Sequence, residues 1–126
     1  MNFMKKISIV LMDYDNNGKT LDYQDIFRES SLVFGGYTIT KQKGGYLSED
    51  GKIMYDDSTK VDLCFYASDY SEAMEDIVKK FLNRLFIEAS QEMVFVELDN
   101  RVAIISESDI SDFLQEIKKG VLVKWD

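Results

Sequence analysis

Hydrophobic and polar positions along the chain switch between two periods. Ile7, Ile9 and Leu11 alternate with Ser8, Val10 and Met12. Both sets are largely apolar, as in a strand flanked on both sides. A polar turn follows, Asp13-Tyr14-Asp15-Asn16-Asn17-Gly18. From Thr20 the spacing becomes helical, with Tyr23, Ile26, Phe27, Ser30 and Phe34 on one stripe and Thr20 or Asp22 able to cap its start. Gly35-Gly36 ends that helix. Tyr37-Thr38-Ile39-Thr40 then opens a strand rich in β-branched residues. Gly44-Gly45 predicts a bulge, and Ser48-Glu49-Asp50-Gly51 predicts a hairpin turn. The return strand starts at Lys52, is expected to break at Asp56-Asp57-Ser58, and resumes with Val61, Leu63 and Phe65 facing one way.

The clearest helix comes next. Met74, Ile77, Val78, Phe81, Leu82 and Leu85 form a wide apolar stripe, with Asp69 and Glu72 spaced as a capping box. Met93 to Leu98 reads as a strand, and Asp99-Asn100 as a tight turn into a strand from Arg101 to Ile105. Ser108 is expected to cap a last helix with Ile110, Phe113, Leu114 and Ile117 inward. Gly120 is expected to stop it, and Val121-Leu122-Val123 to form a short edge strand. The order β-α-β-β-α-β is the ferredoxin-like pattern. The expected fold is therefore α+β: an antiparallel sheet with two helices on one face, plus a C-terminal helix and short strand. Residues 1–126 read as one domain, with the core in 1–98 and the addition in 99–126. The second sheet face is left to solvent, to the C-terminal addition or to another chain. Tyr46, Tyr55, Tyr66 or Phe65, and Phe95 need a home there, so sheet-on-sheet pairing into a homodimer is one expectation.

Composition narrows the chemistry. The chain holds no His and one Cys, which excludes imidazole metal sites, Ser-His or Cys-His nucleophile pairs, disulfides within the chain and thiolate zinc clusters. Cys64, in Val61-Asp62-Leu63-Cys64-Phe65-Tyr66, reads as a small buried hydrophobe in a reducing compartment. Lys plus Arg is 15 against 23 Asp plus Glu, a net charge of −8. Such a chain repels a phosphate backbone unless a basic patch is focused, and Lys41, Lys43 and Lys52 make only a thin one. Direct nucleic-acid binding is not expected. No apolar run approaches a membrane span, and the segment before Asp13 is too short for a secretory leader, so a cytoplasmic protein is expected.

Asp13, Asp15 and Asn17 with Gly18 match the first half of a calcium loop. The second half fails, with Leu21 and Gln24 where ligands belong. A turn in which Asp and Asn side chains bond their own backbone explains the segment without a metal. The carboxylate pairs Asp13 and Asp15, Asp56 and Asp57, and Glu107 and Asp109 are not forced into one cleft by their spacing. With no recognised catalytic motif and no cofactor signature, the chain is expected not to be an enzyme.

The stretch GGYTITKQKGGYLSEDGKIMYDDSTKVDLCFYAS, the amphipathic helix after it, and SQEMVFVEL resemble a family of small uncharacterised proteins of phages, prophages and plasmids of low-GC Gram-positive bacteria. The resemblance covers residues 5–98, with Gln91-Glu92 in the place of that family's Gln-Glu dipeptide. It implies a mobile-element setting in a bacterial host cell. In that setting small acidic proteins are often inhibitors of defence systems, which points to an anti-CRISPR-like role. The acidic positions Glu49, Asp50, Asp56, Asp57, Glu107, Asp109 and Asp112 would then meet a protein partner with a basic surface, such as a nucleic-acid-handling complex. A second reading is a small-ligand or nucleotide-signal binder. It would use a dimer cleft with Tyr37, Lys41, Lys43, Tyr46 and Arg101 as contacts. A third is a phage structural or assembly accessory.

Overall fold

A computed structural model describes residues 2–122. The elements run β1 (Met4–Met12), α1 (Gln24–Phe34), β2 (Thr38–Leu47), β3 (Ile53–Tyr66), α2 (Glu72–Asn83), β4 (Val94–Leu98), β5 (Arg101–Ile105) and α3 (Ile110–Leu122). The strands form one antiparallel sheet in the order β2-β3-β1-β4-β5. The first four strands and α1 and α2 make the ferredoxin-like βαββαβ fold, and β5 extends the sheet beyond β4.

β1 lies at the centre, paired with β3 along one edge and with β4 along the other. Ile7, Ile9 and Leu11 point to the helical side and are fully buried. Val61, Leu63 and Phe65 of β3 and Val94, Val96 and Leu98 of β4 share that side, as strand alternation requires. Against them pack Ile26 and Phe27 of α1 and the stripe Met74, Ile77, Val78, Phe81 and Leu82 of α2. α3 adds Phe113, Leu114 and Ile117 to the same core. The C-terminal helix thus joins the other two helices and leaves the second sheet face uncovered among the described residues.

Local chemistry sets the helix ends. The Asp22 carboxylate accepts the Gln24 backbone N–H at 2.9 Å, and Gly35 closes α1 with φ +83°. Ser71, not Asp69, caps α2, its Oγ accepting the Met74 N–H at 3.3 Å. Before α3 the cap is Ser106, in a reciprocal capping box with Asp109, rather than Ser108. In both cases a Ser two residues away supplies the better-placed oxygen. After Asn83 the chain widens into a π-helical turn, Arg84–Glu88.

Four expectations are corrected. Gly44 and Gly45 pair in register with Asp56 and Tyr55, so β2 has no bulge there. Asp56-Asp57-Ser58 does not break β3, which runs unbroken because β2 pairs with it throughout. Gly120 lies inside α3, and Val121-Leu122 continue the helix instead of forming a strand; Val123 lies outside the described residues. Cys64 is exposed, because strand alternation puts it opposite the buried Leu63 and Phe65. The Asp99-Asn100 turn is as expected, both residues having positive φ, at 50° and 70°.

Phe81 is fully buried where α2 meets the sheet, whereas Leu32 on α1 is 82% exposed. Phe81→Ala is expected to lower unfolding stability by about 3–5 kcal/mol and Leu32→Ala by less than about 0.5 kcal/mol, measured by urea denaturation.

Candidate functional site

β2 and β3 outrun the rest of the sheet. β1 ends at Met12, paired with Ser58, while the hairpin continues to its turn at Ser48–Gly51. Residues 43–47 and 53–57 are exposed throughout. This ribbon projects because the chain turns away after Met12, at 13–18, so β1 does not continue alongside residues 53–57. The chain leaving β1 runs beside its base, with the Asp13 N–H donating to the Asp57 carbonyl at 3.2 Å.

A hollow of about 530 Å³ opens between that ribbon and the 13–18 turn. Its walls include Tyr14, Tyr46, Tyr55, Asp56, Asp57 and Gln91. Tyr46 and Asp56 come from the uncovered face of the ribbon, by alternation with their neighbours. Gln91 reaches across to Asn16, Nε2 to Oδ1 at 3.5 Å. Tyr55 and Asp57 come from the opposite face, so the hollow is flanked by one phenol ring and one carboxylate from each side of the ribbon, with Tyr14 and Gln91 beside them. Rings present electron-rich faces to cations or flat heteroaromatics, and carboxylates accept hydroxyl and N–H donors.

The turn beside this hollow is held by its own side chains. The Asp15 carboxylate accepts the backbone N–H groups of Asn17 at 2.9 Å and Lys19 at 2.8 Å. Asp13 accepts the Thr59 hydroxyl at 2.7 Å and lies 3.6 Å from the Lys41 ammonium, which itself donates to Thr59 at 2.8 Å. The carboxylates of Asp13 and Asp15, two of the three candidate calcium ligands, are thus engaged in shaping the turn. Among the described residues no group of three or more His, Cys, Asp or Glu is placed to share a metal ion.

The other predicted site residues separate. Tyr37 stacks on Phe27 of α1 at 4.7 Å between ring centroids, away from the ribbon hollow. Lys43 lies over the Tyr55 ring at 5.7 Å. Arg101 belongs to β5, on the sheet edge opposite β2, so it cannot join Lys41 and Lys43 within one copy. The acidic set also divides. Glu49, Asp50, Asp56 and Asp57 lie on the β2–β3 hairpin, while Glu107, Asp109 and Asp112 follow β5. Asp109 is held below the usual carboxylate range by the Ser106 backbone N–H and hydroxyl. Sequence reasoning named Tyr46, Asp56 and Asp57 but left out Tyr14 and Gln91 as contributors and placed Tyr55 only as a sheet-face aromatic. Only the hairpin register and the turn geometry bring these six together.

On the helical side, Arg84 joins α1 to the end of α2. Its guanidinium donates to the Asp22 carbonyl at 2.6 Å and to Asp25 at 2.7 Å, and it meets Glu88 at 2.7 Å. Arg84 holds the Asp25 carboxyl below its ordinary value. Its folded-state value lies below its unfolded one, so this pairing contributes fully above the ordinary carboxylate range and is lost as pH falls through the depressed value. The pair is largely exposed, which limits its contribution to about 1 kcal/mol or less. Asp25→Asn is expected to lower the urea midpoint slightly at neutral pH and to leave it unchanged near the acid end of the titration.

No family model matches the chain, and no curated protein matches it. Solved structures do. A phage SAM lyase in complex with S-methyl-5′-thioadenosine is 15% identical with a TM-score of 0.55, over 86% of this chain and 93% of that one. The Bacillus subtilis GlnK–ATP complex is 14% identical with a TM-score of 0.47, over 75% and 80%. The divalent ion tolerance protein CutA1 of Ehrlichia chaffeensis is 13% identical with a TM-score of 0.37, over 98% and 99%. The likeness is one of fold. It corrects the expectation that this chain is not an enzyme: a lyase is built on the same architecture, so lack of His and of known motifs does not remove catalysis from it. The described residues form no helix long and apolar enough to cross a membrane.

Proposed function

We propose that the chain binds a small adenosyl ligand, of the S-adenosylmethionine type, in the hollow between the β2–β3 ribbon and the 13–18 turn. The observation that carries this reading is that Tyr14, Tyr46, Tyr55, Asp56 and Asp57 all line one open volume, Tyr46 with Asp56 from one face of the ribbon and Tyr55 with Asp57 from the other. An adenine ring offers a flat face to a phenol ring. Ribose hydroxyls donate to carboxylates. A sulfonium carries a positive charge that both tyrosine faces and carboxylates attract. A cationic ligand also gains from the field of a chain with net charge −8. The phage lyase of similar fold was solved with S-methyl-5′-thioadenosine, which supports an adenosyl ligand on this architecture.

In this reading Tyr46 stacks on the ligand and Asp56, on the same face of the ribbon, accepts its hydroxyl or ammonium donors, while Tyr14 and Gln91 close the side toward the turn. Lys41 and Lys43 shape the ribbon rather than contact a phosphate, since they engage Thr59, Asp13 and Tyr55. Isothermal titration with S-adenosylmethionine tests it. Measurable binding is expected, weakened roughly tenfold by Tyr46→Ala or Asp56→Asn, the equivalent of about 1.4 kcal/mol. Neutral S-methyl-5′-thioadenosine is expected to bind less tightly, having lost the sulfonium charge. Absence of heat with either compound at millimolar concentration would sink the reading. Chromatography of the same mixtures reads whether the sulfonium compound is converted.

The ribbon favours a second reading, docking of its acidic positions on a basic protein surface. Glu49, Asp50, Asp56 and Asp57 are all exposed on a projecting element. Electrostatic association of that kind is expected to weaken steeply with salt, and Asp56→Lys with Asp57→Lys to slow it further, as read by surface plasmon resonance against a captured partner.

A further inference from the structure

We infer that the uncovered face of the sheet is an interface between copies of this chain, with a second copy laying its own sheet and ribbon against it. The inference stands independently of the ligand reading. All three helices pack on one side, so the opposite side presents the alternate residues of five strands. Tyr46, Met54, Tyr66, Phe95, Val102 and Ile104 lie there, all at least 41% exposed. Phe95 faces Ile104 across β4 and β5, and Tyr46 faces Met54 across β2 and β3. Apolar side chains thus sit near both edges of one continuous surface.

The centre of the face explains why a second copy fits better than a charged partner. Lys60 and Glu97 meet across it at 3.1 Å, and each is only about a fifth exposed. Ser8 donates to Asp62 at 2.6 Å and is itself 1% exposed. With Lys6 and, on the ribbon, Asp56, the face carries two cations and three anions, of which Lys60 and Glu97 are paired. The whole chain, by contrast, is at −8. This is therefore a surface on which two such acidic molecules can meet with little repulsion, and it offers little excess charge to an ionic partner.

Size agrees. Five strands at about 4.8 Å spacing span roughly 24 Å, and a strand of six residues runs about 20 Å. Two such faces bury on the order of 1,000 Å² in projection before side-chain relief and the ribbons are added, which reaches the range of specific interfaces. The ribbon supplies a further reason. A lone two-stranded hairpin is marginal in water, and this one exposes Tyr46 and Met54 on the open face. A neighbouring copy would cover it. Because Tyr46 and Asp56 stand on the same open face, that copy would also lie along the open side of the ribbon hollow.

Sedimentation of the full chain tests this, with no ligand added. The expected mass is at least twice 14.6 kDa at micromolar to high-micromolar concentration. Phe95→Glu combined with Ile104→Glu replaces side chains that are about half exposed in the single chain, so folding is expected to survive, as far-UV circular dichroism will show. That variant should weaken self-association by more than about tenfold, whereas Leu32→Glu, on the helical side, should leave it unchanged. A wild-type chain that stays at 14.6 kDa throughout overturns the inference. So does a folded double variant that still assembles. Titration of S-adenosylmethionine into the double variant reads the ligand proposal separately.

Discussion

The structure depends on burying one side of a five-stranded sheet while leaving the other bare. Ile7, Ile9 and Leu11 at the centre of that sheet are fully buried under helices, and Phe81, Leu82 and Val78 of α2 meet them there. Burying each such side chain is worth about 1.5–3 kcal/mol, so this layer supplies most of the driving force for folding. Three helices are available, and all three contribute to that layer. The consequence is an asymmetric two-layer body. Its helical side is finished with ion pairs such as Arg84–Asp25 and Lys80–Glu29, while its sheet side carries the Lys60–Glu97 pair at the centre and no covering helix among the described residues.

That asymmetry places the chemistry. A strand pair that outgrows its neighbours has no layer to pack on, so the β2–β3 ribbon projects with both of its faces wet. Its base must still be tied to the body. The Asp13–Thr59–Lys41 chain of hydrogen bonds and the Asp13 N–H to Asp57 carbonyl bond do this. The tie also sets the 13–18 turn beside the ribbon at the distance that opens the hollow. Asp15 stiffens that turn from within by taking two backbone N–H groups. The carboxylates that resembled half of a calcium loop thus act on the shape of the site rather than at its centre.

Much of this was legible in the sequence because it rests on local periodicity. The alternation around Ile7–Leu11 and the stripe from Met74 to Leu85 declare a central strand and a buried helix wherever they occur. What stayed illegible depends on partners distant in the chain. Gly44-Gly45 and Asp56-Asp57-Ser58 look like interruptions when read alone, yet Gly44 pairs with Asp56, Gly45 with Tyr55, and Asp57 and Ser58 with Lys43 and Gln42, in an unbroken ladder. Cys64 looks buried among apolar neighbours until the facing of Leu63 and Phe65 is fixed by the core. Tyr14 and Gln91 carry no signal of their own. They join the hollow only because the turn after β1 and the segment before β4 arrive at the same end of the sheet. The caps at Ser71 and Ser106 were missed by two residues each, since Asp69 and Ser108 offer similar oxygens at nearby positions.

The lack of histidine looked like the firmest exclusion and turned out to be the least secure, for a chemical reason. Imidazole matters where a proton must be delivered to a poor leaving group or taken from a weak nucleophile near neutral pH. A sulfonium is different: it departs as a neutral thioether and needs no proton. A site that holds such a compound can favour its reaction by orientation and by electrostatics alone, through carboxylates facing the positive charge and aromatic rings fixing the adenosyl group. Tyrosine and aspartate suffice for both tasks. The absence of His, with the lone Cys64 on the sheet face rather than at the hollow, therefore restricts the reaction classes open to this fold without closing them. The side chains gathered at the ribbon belong to the classes that remain.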